Sequence, residues 1–185
     1  GKAKLKLEPI INLGKALSLL KKRTLIVDND PQCNLTRGTG ADTNGQTVYR
    51  AMLEGHTVPV MELDKNFYCS PNEAAYFEMS SAIPREEVMY DQLAASIRPL
   101  EKEFDYILID NPPGMTVYTQ IALKAATHYL TVAEPSQWSI EGVSIMEQAV
   151  SAFIEEGISP DLKHLGVLVT KYRKTVALDY GLTHI

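Results

Sequence analysis

The sequence predicts an α/β fold: a doubly wound, mostly parallel sheet with helices on both faces, formed by residues 1–185 as a single domain. Three observations predict it. Tyr106-Ile107-Leu108-Ile109 is an unbroken apolar run that stops on Asp110, and a run without alternation suits a strand covered on both faces. Thr24-Leu25-Ile26-Val27 repeats that grammar and stops on Asp28. Between and after these runs, strand-length segments alternate with stretches of helical spacing, as crossover connections between parallel strands require.

Each element has its own reason. Glu8-Pro9 opens a helix, because Pro costs nothing at the first helical position. Ile10, Ile11, Leu13, Ala16, Leu17 and Leu20 keep the helical spacing to about Leu20, and Lys21-Lys22-Arg23 then suits the carboxyl end of the macrodipole. After the strand at Thr24–Val27, the Gly-, Thr- and Asn-rich stretch from Cys33 to Gly45 reads as loop with a short helical turn. Thr47–Glu54 is a short helix stopped by Gly55, and Val58–Leu63 and Asn66–Cys69 are short strands parted by Asp64-Lys65. Ser70-Pro71-Asn72-Glu73 is a helix start, and Pro84 opens a helix reaching about Arg98. The strand at Tyr106–Ile109 is expected to be central, with Asn111-Pro112-Pro113-Gly114 leaving it, since two prolines cannot continue a ladder. A helix over Val117–Ala126 and a strand over Tyr129–Ala133 follow. Ser139 then caps a long helix that ends at Glu155-Glu156-Gly157, before a fourth buried strand at Leu165–Thr170 and a basic turn, Lys171 to Lys174.

Composition sets outer bounds. The 185 residues suit one domain with a sizeable core, and 45% apolar with 22% charged residues is ordinary globular material. A formal net charge of -5 argues against wrapping nucleic acid over the whole surface, though not against one basic patch. Cys33 and Cys69 make neither a disulfide framework nor a metal quartet, and His56, His128, His164 and His184 show no ligand spacing. No apolar run approaches the roughly 18 residues of a spanning helix, and no signal segment opens the chain. The cytoplasm is the expected compartment, with no membrane partner.

The chemistry is concentrated at two strand tips. Asp28-Asn29-Asp30-Pro31-Gln32 and Asp110-Asn111-Pro112-Pro113-Gly114 both place acids at the carboxyl end of a strand, where open α/β sheets bind ligands. A carboxylate there commonly holds Mg²⁺ through oxygen or water. One such tip is as well explained by an acid capping the next helix. Two in one chain point to an acidic, Mg²⁺-handling nucleotide site.

These stretches also carry a resemblance. TLIVDNDPQCNLTRGTG, FDYILIDNPPG, LTVAEPSQWSIEG and LGVLVTKYRKT stand in the order found in the ParA/Soj partition ATPases, of the deviant-Walker-A branch of P-loop NTPases. The likeness spans roughly Ile10 to Leu178, and DxDPQ-x-N-L-T with IDxPP favours the partition branch over the MinD branch. It implies that Asp30 lies in switch I, close to the metal, and positions the attacking water. It implies that Asp110 is the Walker B acid holding the Mg²⁺ shell, and that Pro135 lies near the adenine pocket. It further implies ATP or ADP with Mg as ligands, an ATP-dependent homodimer enclosing both nucleotides, non-specific DNA binding on the nucleoid, and a ParB-like protein that stimulates hydrolysis. Asp30→Ala is expected to block hydrolysis while sparing ATP-driven dimerisation, and Asp110→Ala to weaken Mg²⁺-dependent binding.

One part departs from the family pattern. The glycine-rich loop K-G-G-x-G-K-T-T falls on Gly1-Lys2-Ala3-Lys4-Leu5-Lys6-Leu7-Glu8, where only Lys6 matches, at the place of the phosphate-reaching lysine. A phosphate cradle needs glycines so that successive N–H groups can turn inward, and a helix amino terminus clear of negative charge. Leu7 cannot ligate a metal and Glu8 would repel phosphate. Three readings follow: an intact protein whose true first strand and loop are missing or misread in this chain, a fragment, or a genuine pseudo-ATPase scaffold. The stop at Ile185 is expected to be an incomplete end as well, since a doubly wound fold rarely stops after a basic turn.

The other features have plainer explanations beside the functional ones. Lys171, Arg173 and Lys174 are candidate DNA-phosphate contacts, with a solvated turn as the simpler account. Trp138 suits core packing, and Cys33 suits a tight corner better than nucleophilic chemistry. A metabolic member of the same superfamily would need paired cysteines for a cluster, and Cys33 and Cys69 lie in unrelated elements.

Overall fold

A computed structural model of the chain describes residues 9–78, 90–134 and 137–171. It is an α/β structure that divides into two compact units, residues 1–125 and 126–185. In the first unit four strands run in the order β2-β3-β1-β4: β1 (Thr24–Asp28), β2 (Met61–Asp64), β3 (Phe67–Ser70) and β4 (Tyr106–Asp110). β1 is parallel to both β3 and β4, whereas β2 pairs antiparallel with β3. The β2–β3 connection is too short for a crossover, so the hairpin turns through Asn66, which takes the left-handed φ of 60°.

Every residue of β1 is buried, while β4 is half-buried and Tyr106 at its start is open to solvent. Among the described residues β3 and β1 are the inner strands, and β4 is the last strand of this sheet. An apolar run reports that a strand has covered faces, but not which strand lies between two others, so the expectation that Tyr106–Ile109 is central is corrected here.

Helices cover both faces. α1 (Pro9–Leu19) lies on one, with Ile11 packed against Ile26, Leu35, Phe67 and Cys69. Gly14 permits the close approach, because a Cβ there would stand 2.7 Å from the Phe67 ring and 2.9 Å from Ile26. α2 (Asn34–Thr39) joins this face through Leu35. The opposite face holds Leu25 and Val27 against α3 (Val48–Glu54), α4 (Gln92–Ile97) and α5 (Val117–Ala125). This division follows from strand alternation: Leu25 and Val27 point one way, Ile26 the other.

Thr47 caps α3 by accepting the Arg50 N–H, and Gly55 ends it at φ 68°. The helix expected from Ser70-Pro71-Asn72-Glu73 is a 3₁₀ turn over Ala74–Glu78. α4 gives way to a 3₁₀ turn at Arg98–Leu100, where Pro99 has no N–H to continue it. Pro84 lies outside the described residues.

In the second unit β5 (His128–Ala133) and β6 (Lys163–Val169) form a parallel pair, with α6 (Gln137–Glu155) between them in sequence. Gly157 at φ 76° follows the helix, as its position in the sequence predicts. Ser139 lies inside α6 and is not its cap, since the helix begins at Gln137. Among the described residues no helix is long and apolar enough to cross a membrane.

Candidate functional site

The register of β1 with β4 brings the acidic motifs together. Thr24 to Asp28 pair residue by residue with Tyr106 to Asp110, so Asp28 and Asp110 are neighbours across the ladder. Ile26 and Leu108, two residues earlier on each strand, belong to the apolar cluster beneath α1. By alternation the Asp28 and Asp110 side chains project on that same face, the one covered by α1. Asp30 follows two residues beyond Asp28, just past the strand end.

The three acids have different environments. Asp28 is fully buried, and both its oxygens are engaged: Oδ2 accepts the Thr36 N–H at 2.8 Å and the Thr36 hydroxyl at 2.5 Å, while Oδ1 accepts the Asp30 N–H at 3.2 Å. Burial pushes the Asp28 carboxyl above its usual range, and the Thr36 bonds pull only partly against it. Thr36 is itself held, its hydroxyl accepting the Asn72 N–H at 2.9 Å, and Asn72 Nδ2 returns to the Asp28 carbonyl at 3.0 Å. Asp28 is thus a bracing acid that fixes the start of α2 and the end of β3 to the tip of β1. Asp30 is buried, and its Oδ1 accepts the Gln32 N–H at 2.8 Å in a local turn. Asp110 is half-buried.

Cys33 closes this turn in the left-handed conformation at φ 51°, with its N–H donated to the Asp30 carbonyl at 2.8 Å. A non-glycine residue in that region is uncommon and marks a tightly determined corner. Burial, then the Asp28 charge, pushes the Cys33 thiol up to about 11, and burial pushes the Cys69 thiol up to about 12. Neither is a nucleophile at neutral pH.

The opposite face of the same tips carries amides. Asn29 is fully buried; its Oδ1 accepts the Tyr76 hydroxyl at 2.6 Å, and its Nδ2 donates to Asn111 Oδ1 at 2.8 Å and to the Tyr118 carbonyl at 2.9 Å. Its backbone N–H donates to the Asp110 carbonyl at 2.9 Å. Asn29, Thr36, Asn72 and Tyr76 carry no role in the sequence reading. The signal for Asn29 is present nonetheless, because a residue between two acids at a strand end must face away from both.

The fit to magnesium is one-sided. Among the described residues no group of three or more His, Cys, Asp or Glu side chains is gathered as a metal cage. Mg²⁺ does not require one, since it keeps several waters and takes one or two carboxylates together with phosphate oxygens. Asp110 and Asp30 suit that limited role better than Asp28, whose two oxygens are both engaged by Thr36 and the Asp30 N–H. Lys6, Pro135, Arg173 and Lys174 lie outside the described residues. Lys171 is exposed and ion-paired with Glu134, and it adopts φ 56° at the end of β6.

Comparison with known proteins gives four findings. A family model described as an AAA domain matches residues 6–164, most of the chain. The chromosome partitioning protein ParA of Myxococcus xanthus is 34% identical over 174 residues, covering 88% of this chain and 59% of that protein. The sporulation initiation inhibitor protein Soj of Bacillus subtilis is 31% identical, covering 86% of this chain and 65% of that protein. Among solved structures, cobyrinic acid a,c-diamide synthase from Mycobacterium smegmatis with bound ATP analogue and magnesium superposes with a TM-score of 0.80 at 25% identity, over 93% of this chain and 74% of that one. The chain therefore spans about 59–65% of the length of these two curated relatives.

Proposed function

We propose a function from one fixed point: the chain belongs to the AAA-domain family and is a ParA/Soj-like member of the P-loop ATPases. On that footing it acts as an ATP- and Mg²⁺-governed switch in chromosome or plasmid partitioning. The observation that supports this most is the alignment of Asp28 with Asp110 on one sheet face, with Asp30 immediately beyond. With magnesium and ATP bound, Asp110 would hold the metal through its water, and Asp30 would orient the water for hydrolysis. Asp28 keeps Asp30 in place through the Asp30 N–H. Magnesium-bound ATP, when present, supplies the γ-phosphate contacts whose loss lets such loops relax. Lys6 serves as the phosphate-reaching lysine and Pro135 borders the base. The ATP-bound chain pairs with a second copy and holds DNA non-specifically. Lys171, Arg173 and Lys174 contact phosphates there, Lys171 after leaving Glu134. A ParB-like partner then accelerates hydrolysis and release.

The test is fluorescent-ATP binding with and without Mg²⁺, followed by phosphate release. Asp30→Ala should retain binding and lose hydrolysis, and Asp110→Ala should lose the Mg²⁺ dependence of binding. Normal turnover by Asp30→Ala would refute its assigned role.

A second reading rests on a different observation. Lys2, Ala3, Leu5, Leu7 and Glu8 stand where the family has its phosphate-cradling glycines and threonines. Under this reading the chain is a ParA-like scaffold that binds DNA or a partner without hydrolysing ATP. Equal DNA affinity in the presence and absence of ATP would favour it over the switch.

A further inference from the structure

The buried amide face of the strand tips does something the acid face cannot do alone. Asn29 sits between Asp28 and Asp30, yet its side chain leaves the acids and reaches three other segments: the 3₁₀ turn at Tyr76, the loop after β4 at Asn111, and the first turn of α5 at Tyr118. Asn111 in turn donates Nδ2 to the Ile109 carbonyl at 3.1 Å, and the Tyr118 hydroxyl donates to the Tyr76 carbonyl at 3.1 Å. The rings of Tyr76 and Tyr118 meet edge-on at 4.8 Å. A fully buried carboxamide with each of these bonds made has one favourable setting, because any movement that breaks a bond strands a polar atom away from water.

We propose that Asn29 is a positioning residue that couples the two acidic strand tips, so that the setting of Asp30 after β1 and of Asp110-Asn111 at the end of β4 is held in common through the Tyr76–Asn29–Asn111 chain. The two tips then move together or not at all. This deepens the switch reading and rests on it only where nucleotide is concerned; the coupling itself is a property of the ligand-free chain.

Hydrogen–deuterium exchange on the ligand-free chain tests it. Tyr76→Phe removes one hydroxyl and keeps the ring, and Asn111→Ala removes the acceptor of the Asn29 amide. Each should speed exchange about fivefold, the worth of one hydrogen bond, at two places at once: the Asn29, Gln32 and Cys33 amides, and the Thr119 and Gln120 amides. Asn111→Asp keeps the acceptor oxygen and should restore protection at Asn29 to Cys33. Faster exchange confined to the mutated segment would overturn the coupling. Equal acceleration through the β1 and β3 amides would also overturn it, since that is plain loss of stability. In a parallel Mg²⁺–ATP titration, Tyr76→Phe should weaken binding by a similar factor. A wild-type chain that binds no nucleotide refutes the switch reading, and the exchange pattern still decides the coupling.

Discussion

The tips of β1 and β4 carry the same two letters, Asp-Asn, and use them differently. Asp28 and Asn29 are fully buried, whereas Asp110 and Asn111 are only half-buried, although the Asn111 amide is hydrogen-bonded as well, to Asn29 and to the Ile109 carbonyl. The cause lies in sheet order. β1 has a parallel neighbour on each side and helices on both faces, while β4 is the last strand of its sheet. An acid in the first position becomes part of the frame, and the same acid in the second stays partly exposed. Similar sequence grammar thus marks one fully buried bracing carboxylate and one half-buried carboxylate, the one we propose for the metal.

The sharpest way to break that comparison is to remove each acid in turn. Asp28→Ala leaves the Thr36 N–H, the Thr36 hydroxyl and the Asp30 N–H without their acceptor in a buried place, and should cost about 2–4 kcal/mol in urea unfolding. Thr36→Val, which loses the hydroxyl bridge from Asp28 to Asn72, should cost about 1–2 kcal/mol by the same measurement. Asp110→Ala should cost no more than about 1 kcal/mol while changing the Mg²⁺ response most. If it proves as destabilising as Asp28→Ala, the distinction between frame and working acid fails.

The smallest effect is a pH dependence. Burial raises the Asp28 carboxyl above its ordinary 3.8 in the folded chain. Between those two values the folded chain keeps a proton that the unfolded chain has released, so stability falls as pH climbs through the window. Urea midpoints measured from pH 4 upward should show that decline, and Asp28→Asn should flatten it. Asp64, held low first by its hydrogen bond from Lys15, works in the opposite sense: its contribution is present above 3.8 and is lost as pH falls below it. The two groups therefore separate on the pH axis.

Much of the fold was legible because local signals were strong. Pro9 opens α1, Thr47 and Gly55 bracket α3, and the run ending on Asp28 is a strand. Ser139 misled because Ser is a good cap wherever a helix happens to begin, and nothing local set that beginning two residues earlier. Val58 was placed in a strand that starts only at Met61, after Pro59, whose carbonyl instead accepts the Ser70 hydroxyl at 2.5 Å. In the site, the acids were conspicuous as charged residues ending apolar runs. Tyr76 and Asn72 were not, since their partners lie 47 and 44 residues away in sequence.

By itself the sequence determined the helices and strands, the alternation that sends Asp28 one way and Asn29 the other, and the family to which the chain belongs. Those are properties of short segments, fixed by side-chain spacing and backbone preference. Only the tertiary structure decided that, among the described strands, β1 lies inside while β4 ends the sheet, and therefore which of the two Asp-Asn pairs is fully buried and which is half-buried. Burial is a property of what surrounds a strand, and the residues that surround this one come from α1 to α5, elements far apart in sequence.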